Sequence, residues 1–384
     1  MSYSIIDYKR LSNLVADQNY APHYCHAVMG FDGFIDKVVR VCRGRAAEKS
    51  NDQPSWYQTL GEFNAYLSGK DGLSFSVELE TTEEKKGGNM PITANALGNL
   101  GVTVDCIGAL GTTLAINPHF SSMSANCILH PIVEPGWCMA FEFSNSKLMV
   151  YDNKQINSLN WQTIKDSLGI TAIRQIFEKS DLIGLFNWSE VKYSEDIWAG
   201  LSMDVFPFLT DSKARNVFID LSDCTGRKAE EIFGMATCMS EMARTMRVTL
   251  SMNENEIRHL HKVLARKPDE RAMDSRRIEC YTEMLAALTD EIPDVTMVLH
   301  LADSSLSIDS SGKKIFVKNH FVEEPRILIG GGDNYNAGFC MGLLGGEQVR
   351  ECMALAGATS SYYVQHGQSP TPMALSAYLA RLEG

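Results

Sequence analysis

Short apolar runs recur along the chain, each followed by a stretch with helical periodicity, and this alternation limits the fold more than any other feature. The clearest runs are 27–31, 102–109, 182–186, 217–221, 248–250 and 296–301. Helical spacing follows over 159–178, 228–246, 254–265, 276–289, 334–344, 347–365 and 371–382. Runs without a polar alternate face are strands buried on both sides, and strands separated by helices pair in parallel. The pattern therefore predicts an α/β fold: a three-layer α/β/α sandwich around a mostly parallel sheet. A chain of 384 residues can hold one large domain or two. No repeat, low-complexity tract or linker divides it. Residues 1–24 read as a helical extension, with Ile5, Tyr8, Leu11, Leu14 and Val15 at helical spacing, and 25–384 as one domain.

Two stretches interrupt the alternation. Segments 137–143 and 147–151 flank 144–146 as a hairpin, which suits either an edge hairpin or a lid. Residues 43–86 are polar and irregular and read as an insertion. Lid and insertion segments are thus expected within about 36–86 and 127–152.

The net charge of −12 argues against nucleic-acid and anionic-membrane partners. No apolar run approaches the ~18–20 residues of a membrane span. The N-terminal residues lack a signal-peptide apolar region. Ten cysteines show no C-x-x-C pair and read as reduced thiols. A cytoplasmic protein is expected.

The most specific motif is Gly330-Gly331-Gly332-Asp333 at the start of a helical run. Three residues without side chains bare the backbone N–H groups of a helix start, where the dipole also favours an anion of phosphate size. A carboxylate beside such a cradle suits a base that takes a proton from an attacking hydroxyl. The helix terminus is expected to lower its pKa. The same residues also suit a glycine-rich turn with an Asp cap.

Three further segments carry polar groups next to predicted elements. Gly87-Gly88-Asn89 precedes an Ala-rich helix and permits close backbone approach to a ligand. Asp32 and Asp36 follow the first predicted strand, where ligands of α/β sheets bind, and a carboxylate there can accept from sugar hydroxyls. Asn253 and Glu256 open a helix at i and i+3, a spacing that suits either organised metal-bound water or an acidic first turn. Neither Gly69-Lys70 nor Gly312-Lys313 completes a Walker A loop, and G-x-G-x-x-G fails at Tyr335. His259 and His261 cannot share a helix face as a metal pair.

In their order, these four segments resemble the ribokinase-like (PfkB) carbohydrate kinase family from about Ala27 to the C-terminus. Gly330–Asp333 is similar to the family's Gly-Ala-Gly-Asp anion hole and base, Gly87-Gly88 to its substrate-binding glycine pair, and Asp36 to its early substrate aspartate. Asn253 and Glu256 match its N-x-x-E motif, and 358–367 resembles the helix and loop that end its nucleotide site. The resemblance implies a central sheet with a small β lid. It also implies transfer of the ATP γ-phosphoryl group to a hydroxymethyl group of a sugar or sugar-like alcohol. Asp333 would serve as base, with Mg²⁺ organised through water by Asn253 and Glu256, and His300 and Ala302 beside the nucleotide. Residues 326–329 replace the family's Asp-Thr, which weakens any claim to a monovalent-cation site. Small-molecule sugars are the implied partners, with homodimers through the lid. A non-catalytic sugar- or nucleotide-binding protein and a nucleoside kinase are the alternatives on the same scaffold.

Overall fold

The computed structural model describes residues 6–44, 56–144, 146–266, 277–327 and 329–382. Ile5, residues 45–55, Asn145, Arg276 and Leu328, named or spanned above, lie outside them.

The first strands are β1 (His26–Phe31), β2 (Phe34–Val41), β3 (Leu79–Gly87), β4 (Thr103–Gly108) and the short pair β5 (Gly111–Thr112) and β6 (Ala115–Ile116). They are followed by β7 (Cys127–Pro131), β8 (Gly136–Glu142), β9 (Lys147–Asp152), β10 (Leu182–Phe186) and β11 (Asn216–Asp220). The last are β12 (Arg247–Met252), β13 (Thr296–His300), β14 (Ser304–Ile308) and β15 (Lys314–Lys318). Nine of these form the central sheet, in the order β15-β14-β13-β12-β11-β10-β1-β4-β7. The run from β7 to β13 is parallel, and only the β13–β14 and β14–β15 pairs are antiparallel.

Alternation along β10 shows why such strands are apolar throughout. Ile183 and Leu185 enter one core cluster while Leu182 and Phe186 enter the other. The first cluster packs under the helices between 161 and 291. The second lies under the helices Tyr8–Ala16, Asn89–Asn99, Gly331–Leu344, Val349–His366 and Pro372–Leu379. Helices on both faces make the three-layer sandwich that the alternation predicts.

A separate four-stranded sheet, in the order β3-β2-β8-β9, stands off this body. The predicted hairpin is its β8–β9 edge, paired from Trp137↔Asp152 to Glu142↔Lys147. Residues 43–86 are more regular than their composition suggests. A Thr59–Glu62 capping box starts the helix Leu60–Ser68, and β3 pairs with β2. Most of the β3 side chains are exposed, so no alternation of apolar residues marks it as a strand. The predicted helix over 159–178 is two helices, Trp161–Leu168 and Ile170–Glu178, divided at Gly169 with φ 77°. The helix Ser194–Asp204 went unread.

The helix that begins at Gly331 is held against Val349–His366 by a glycine contact. A Cβ on Gly338 would stand 2.6 Å from Thr359 Oγ1 and 2.8 Å from the Ala356 Cα and the Leu355 carbonyl oxygen. Backbone cannot yield as a flexible side chain can. Gly338→Ala should therefore destabilise the protein by about 1–3 kcal/mol in urea unfolding, the usual range for overpacking.

Candidate active site

The C-terminal ends of the parallel strands converge on one edge of the sheet, where α/β folds bind ligands. Asp32 follows β1 there, while Asp36 projects from β2 in the smaller sheet. The two carboxylates explain the glycine pair. A Cβ on Gly87 would collide with the Asp36 carboxylate, and one on Gly88 would stand 2.6 Å from Asp32 Oδ2. Gly88 also has φ 91°, a conformation that only glycine adopts readily. Two segments more than 50 residues apart in sequence thus meet face to face.

Their roles differ. Asp32 is fully buried and accepts from the backbone N–H groups of Asn89 and Met90, each at 2.8 Å. The Asn187 side-chain amide donates to it as well, at 2.8 Å. It caps the helix Asn89–Asn99 from a distance, which makes it a positioning group. Burial raises its carboxyl to about 6, and these three donors oppose the rise. Asp36 has no hydrogen bond to its carboxylate among the described residues. Burial raises it to about 6, with Lys85 opposing. Lys85 is its cross-strand partner on β3, and Cys138 its partner on β8.

Asp333 is the third residue of the helix Gly331–Leu344, with Gly330 as its cap at φ 90°. The N–H groups of 331–333 have no carbonyl one turn back, so they remain available to an anion. The helix start is braced from behind: Ser360 Oγ donates to the Gly331 carbonyl at 2.9 Å, and Tyr363 Oη to the Ile329 carbonyl at 2.9 Å. Asp333 is half-buried, and its Oδ1 is sealed from solvent with no hydrogen-bond partner among the described residues.

Its carboxyl is pushed well above the usual range, by burial first and then by the charges of Asp220, Asp32 and Asp36. This reverses the lowering expected from the helix terminus. A partial charge at the dipole end is outweighed by three whole carboxylates in a poorly hydrated site.

Asp220 was not anticipated. It ends β11, is buried, and accepts from Ser222 N at 2.9 Å and from the Asn336 side chain. Ser251 Oγ donates to Asn336 Oδ1 at 2.8 Å, so β11, β12 and the Asp333 helix share one buried network. Asn187 and Asp220 had one signal in the sequence: each closes or follows an apolar run at the ligand-binding edge.

Asn253 and Glu256 form a reciprocal capping box. Asn253 Oδ1 accepts from the N–H groups of Asn255 and Glu256 at 2.9 and 3.1 Å. Glu256 Oε2 accepts from Asn253 N at 2.9 Å, and Oε1 from Asn253 Nδ2 at 2.6 Å. Their spacing is thus fixed by helix capping. Glu256 is nonetheless buried, with its carboxyl raised by burial and by Asp220, Asp223 and Asp333. Among the described residues, no group of three His, Cys, Asp or Glu side chains could hold a metal unaided. Carboxylates that repel one another do fit Mg²⁺ carried in by phosphates, which needs only one or two of them, through water.

His300 and Ala302 line a pocket of about 130 Å³ with Tyr335, Gly357 and Val364. The His300 ring lies 4.9 Å from that of Tyr335, and burial lowers its pKa to about 4, so it is neutral at physiological pH. It reaches the glycine segment, 3.3 Å from where a Gly332 Cβ would stand.

A family model described as prokaryotic ketohexokinase matches residues 21–381. The chain belongs to the prokaryotic ketohexokinase family. It is similar to a ketohexokinase of Haloferax volcanii, at 23% identity over 353 residues, covering 91% of this chain and 90% of the relative. The fold is shared with ribokinase from Cryptococcus neoformans in complex with ADP, at TM-score 0.65 and 14% identity, over 93% of this chain and 100% of that one. Adenosine kinase from Sinorhizobium meliloti matches at TM-score 0.61 and 16% identity, over 93% of this chain and 98% of that one. The ribokinase-like reading of the sequence is borne out, and this family member is a carbohydrate kinase. No helix among the described residues is long and apolar enough to cross a membrane.

Two outcomes are expected of the paired carboxylates. Gly87→Ala should displace the Asp36 carboxylate, read as a changed pH dependence of stability between about 4 and 6. For Asp36, a folded pKa above the unfolded value means that stability is fullest below about 4. It falls as pH rises towards about 6, and the cost then persists at neutral pH. Asp36→Asn should therefore raise ligand-free stability at pH 7, by on the order of 1–3 kcal/mol in urea melts.

Proposed function

We propose that this enzyme transfers the γ-phosphoryl group of ATP to a hydroxymethyl group of a ketohexose, with Asp333 as general base. The carrying observation is the sealed, unpartnered Oδ1 of Asp333 beside the free amides of the helix start. Asp36 would accept from the sugar hydroxyls, since its carboxylate has no hydrogen-bond partner among the described residues. Asp32 would hold Gly88 and Asn89 in place against the sugar. The helix 89–99 and the glycine pair then form one wall, and the four-stranded sheet above acts as the lid.

With the acceptor hydroxyl at Asp333, its proton passes to the carboxylate as the oxygen attacks the γ-phosphorus and the bond to the bridging oxygen breaks, releasing ADP. The transition state for phosphoryl transfer is loose, so the hydroxyl loses its proton late and positioning contributes most. The amides of 331–333 meet the negative charge on the transferred group and need no rearrangement to do so. A carboxyl raised by its neighbours is a stronger base once ionised. Mg²⁺ bound to the donor phosphates would be held through water by Glu256 and Asp220, and would neutralise charge on the transferring group. His300 and Ala302 would flank the nucleotide. The small pocket would take the base and leave the phosphates at Gly331. Closure of the lid would exclude water and so limit hydrolysis of ATP.

Asp333→Asn keeps the shape and removes the base. It should lower kcat with MgATP and a ketohexose by about 10²–10⁴ while sugar binding persists. An unchanged rate would remove Asp333 from the mechanism. Both Asp36 and Asp333 must be ionised to act, and both are raised above ordinary carboxylates. The kcat/KM profile should accordingly fall on the acid side well before ordinary carboxylates protonate near ~4, with Asp36 contributing a limb at about 6. In a panel of ketohexoses, aldohexoses and nucleosides with MgATP, turnover should be confined to the ketohexoses.

A further inference from the structure

The chain leaves the smaller sheet at Asn153, immediately past β9, and there it is tied to the body by a side chain. Asn153 Nδ2 donates to Glu190 Oε2 at 2.8 Å. Glu190 lies in the loop between β10 and the helix Ser194–Asp204, at the edge of the central sheet where the other acids gather. Its backbone N–H donates to Asn187 Oδ1 at 3.2 Å, and Asn187 Nδ2 donates to Asp32 Oδ2 at 2.8 Å. Hydrogen bonds thus run from the exit of the lid to the acid that holds Gly88 and Asn89.

Glu190 is only half committed. Asn153 occupies Oε2, whereas Oε1 has neither a hydrogen bond nor an ion pair among the described residues. The side chain is half-buried. A carboxylate taken partly out of water without a counter-charge costs stability unless donors of a ligand offset it.

The smaller sheet relates Glu190 to the sugar. Asp36, Cys138 and Tyr151 are cross-strand partners on β2, β8 and β9, so their side chains share one face. The Tyr151 hydroxyl meets the Cys138 thiol, and Phe34 packs edge-on against Tyr151 with ring centroids 5.7 Å apart. Cys138 and Tyr151 both lie in the fields of Asp36 and of Glu190. The two carboxylates therefore look onto the same short row of side chains, Asp36 from the sheet and Glu190 from the body. The charges that weigh most on Asp333 are those of Asp220, Asp32 and Asp36, and Glu190 is not among them. Glu190 accordingly stands farther from the base than Asp36 does.

We propose that Glu190 is a specificity-determining residue, accepting a hydroxyl at the end of the ketohexose away from the reacting hydroxymethyl group, with Asn153 as its positioning residue. This rests on the sugar-kinase reading above and names a group that selects among sugars. A carboxylate held through one oxygen still accepts with the other, and the amide fixes which way it points. A sugar lacking the matching hydroxyl leaves that oxygen unpaired in the closed site, so it is rejected more strongly than the lost contact alone requires.

Calorimetry of the full chain with D-fructose, 1-deoxy-D-fructose and 6-deoxy-D-fructose tests the assignment. Glu190→Gln removes the charge and leaves an amide oxygen for Asn153. It should weaken fructose roughly ten- to hundredfold, as the loss of a charged hydrogen bond does. In steady-state kinetics the KM for fructose should rise, with kcat and the KM for MgATP nearly unchanged. The wild type should lose a similar factor on one deoxy sugar, the one that is still phosphorylated, and Glu190→Gln should lose nothing further on it. Glu190→Asp keeps the charge and draws it back by one methylene. It should weaken fructose and spare that deoxy sugar, a comparison that stands even if the glutamine variant does not fold. Asn153→Ala should weaken fructose less than Glu190→Gln does. Unchanged fructose affinity in Glu190→Gln would overturn the proposal. So would a loss of one size on fructose and both deoxy sugars, because the residue would then act only by holding the fold. Failure of the kinase reading looks different: the wild type would bind fructose and consume no ATP, while the calorimetric comparison stood.

Discussion

Repulsion among buried carboxylates is the constraint on which the site depends. Asp32, Asp36, Asp220, Glu256 and Asp333 come from different segments and all face the same end of the sheet. Left alone, such a group would drive the chain apart or take up protons. Three of the five acids are restrained by particular devices. Three donors hold Asp32, a buried serine–asparagine pair holds Asp220, and a capping box holds Glu256. Asp36 and the Oδ1 of Asp333 have no such restraint. Of these five acids, the two left unsatisfied among the described residues are those that the proposed chemistry uses as base and as sugar ligand.

The fold was legible where burial made the sequence plain. The runs at 182–186 and 217–221 match β10 and β11 almost to the residue, because strands covered on both faces contain little but apolar side chains. The four-stranded sheet was half legible. Its β8–β9 hairpin has a turn between two apolar segments, whereas β3 is mostly exposed glutamates and threonines. Nothing in its composition separates it from a loop; only pairing with β2 makes it a strand.

The site was legible in the same uneven way. Glycines and acids at element ends marked 330–333, 87–88 and 32–36, because few residues can take those positions. What each acid does was not legible. Asp32 and Asp36 look alike in sequence, yet one is committed to backbone amides and the other is free. The Asn253–Glu256 spacing satisfies a helix start whatever else it serves. Asn336 and Ser251, which tie Asp220 to the Asp333 helix, gave no signal, since their meaning lies in contacts across 85 positions and more.

The link between the two sheets has a mechanical consequence. Only Asp32 and Gly33 separate β1 from β2, and Gly33 lies so close to the Ala109 carbonyl that no side chain fits there. Close packing pins the junction at Gly33. Were the smaller sheet to tilt about that point, Asp32 and its amides would move little, whereas Asp36 would travel with the sheet. The distance from Asp36 to Asp333 is then the quantity that such a tilt adjusts, and a sugar spanning the two would be gauged for length as the sheet comes down.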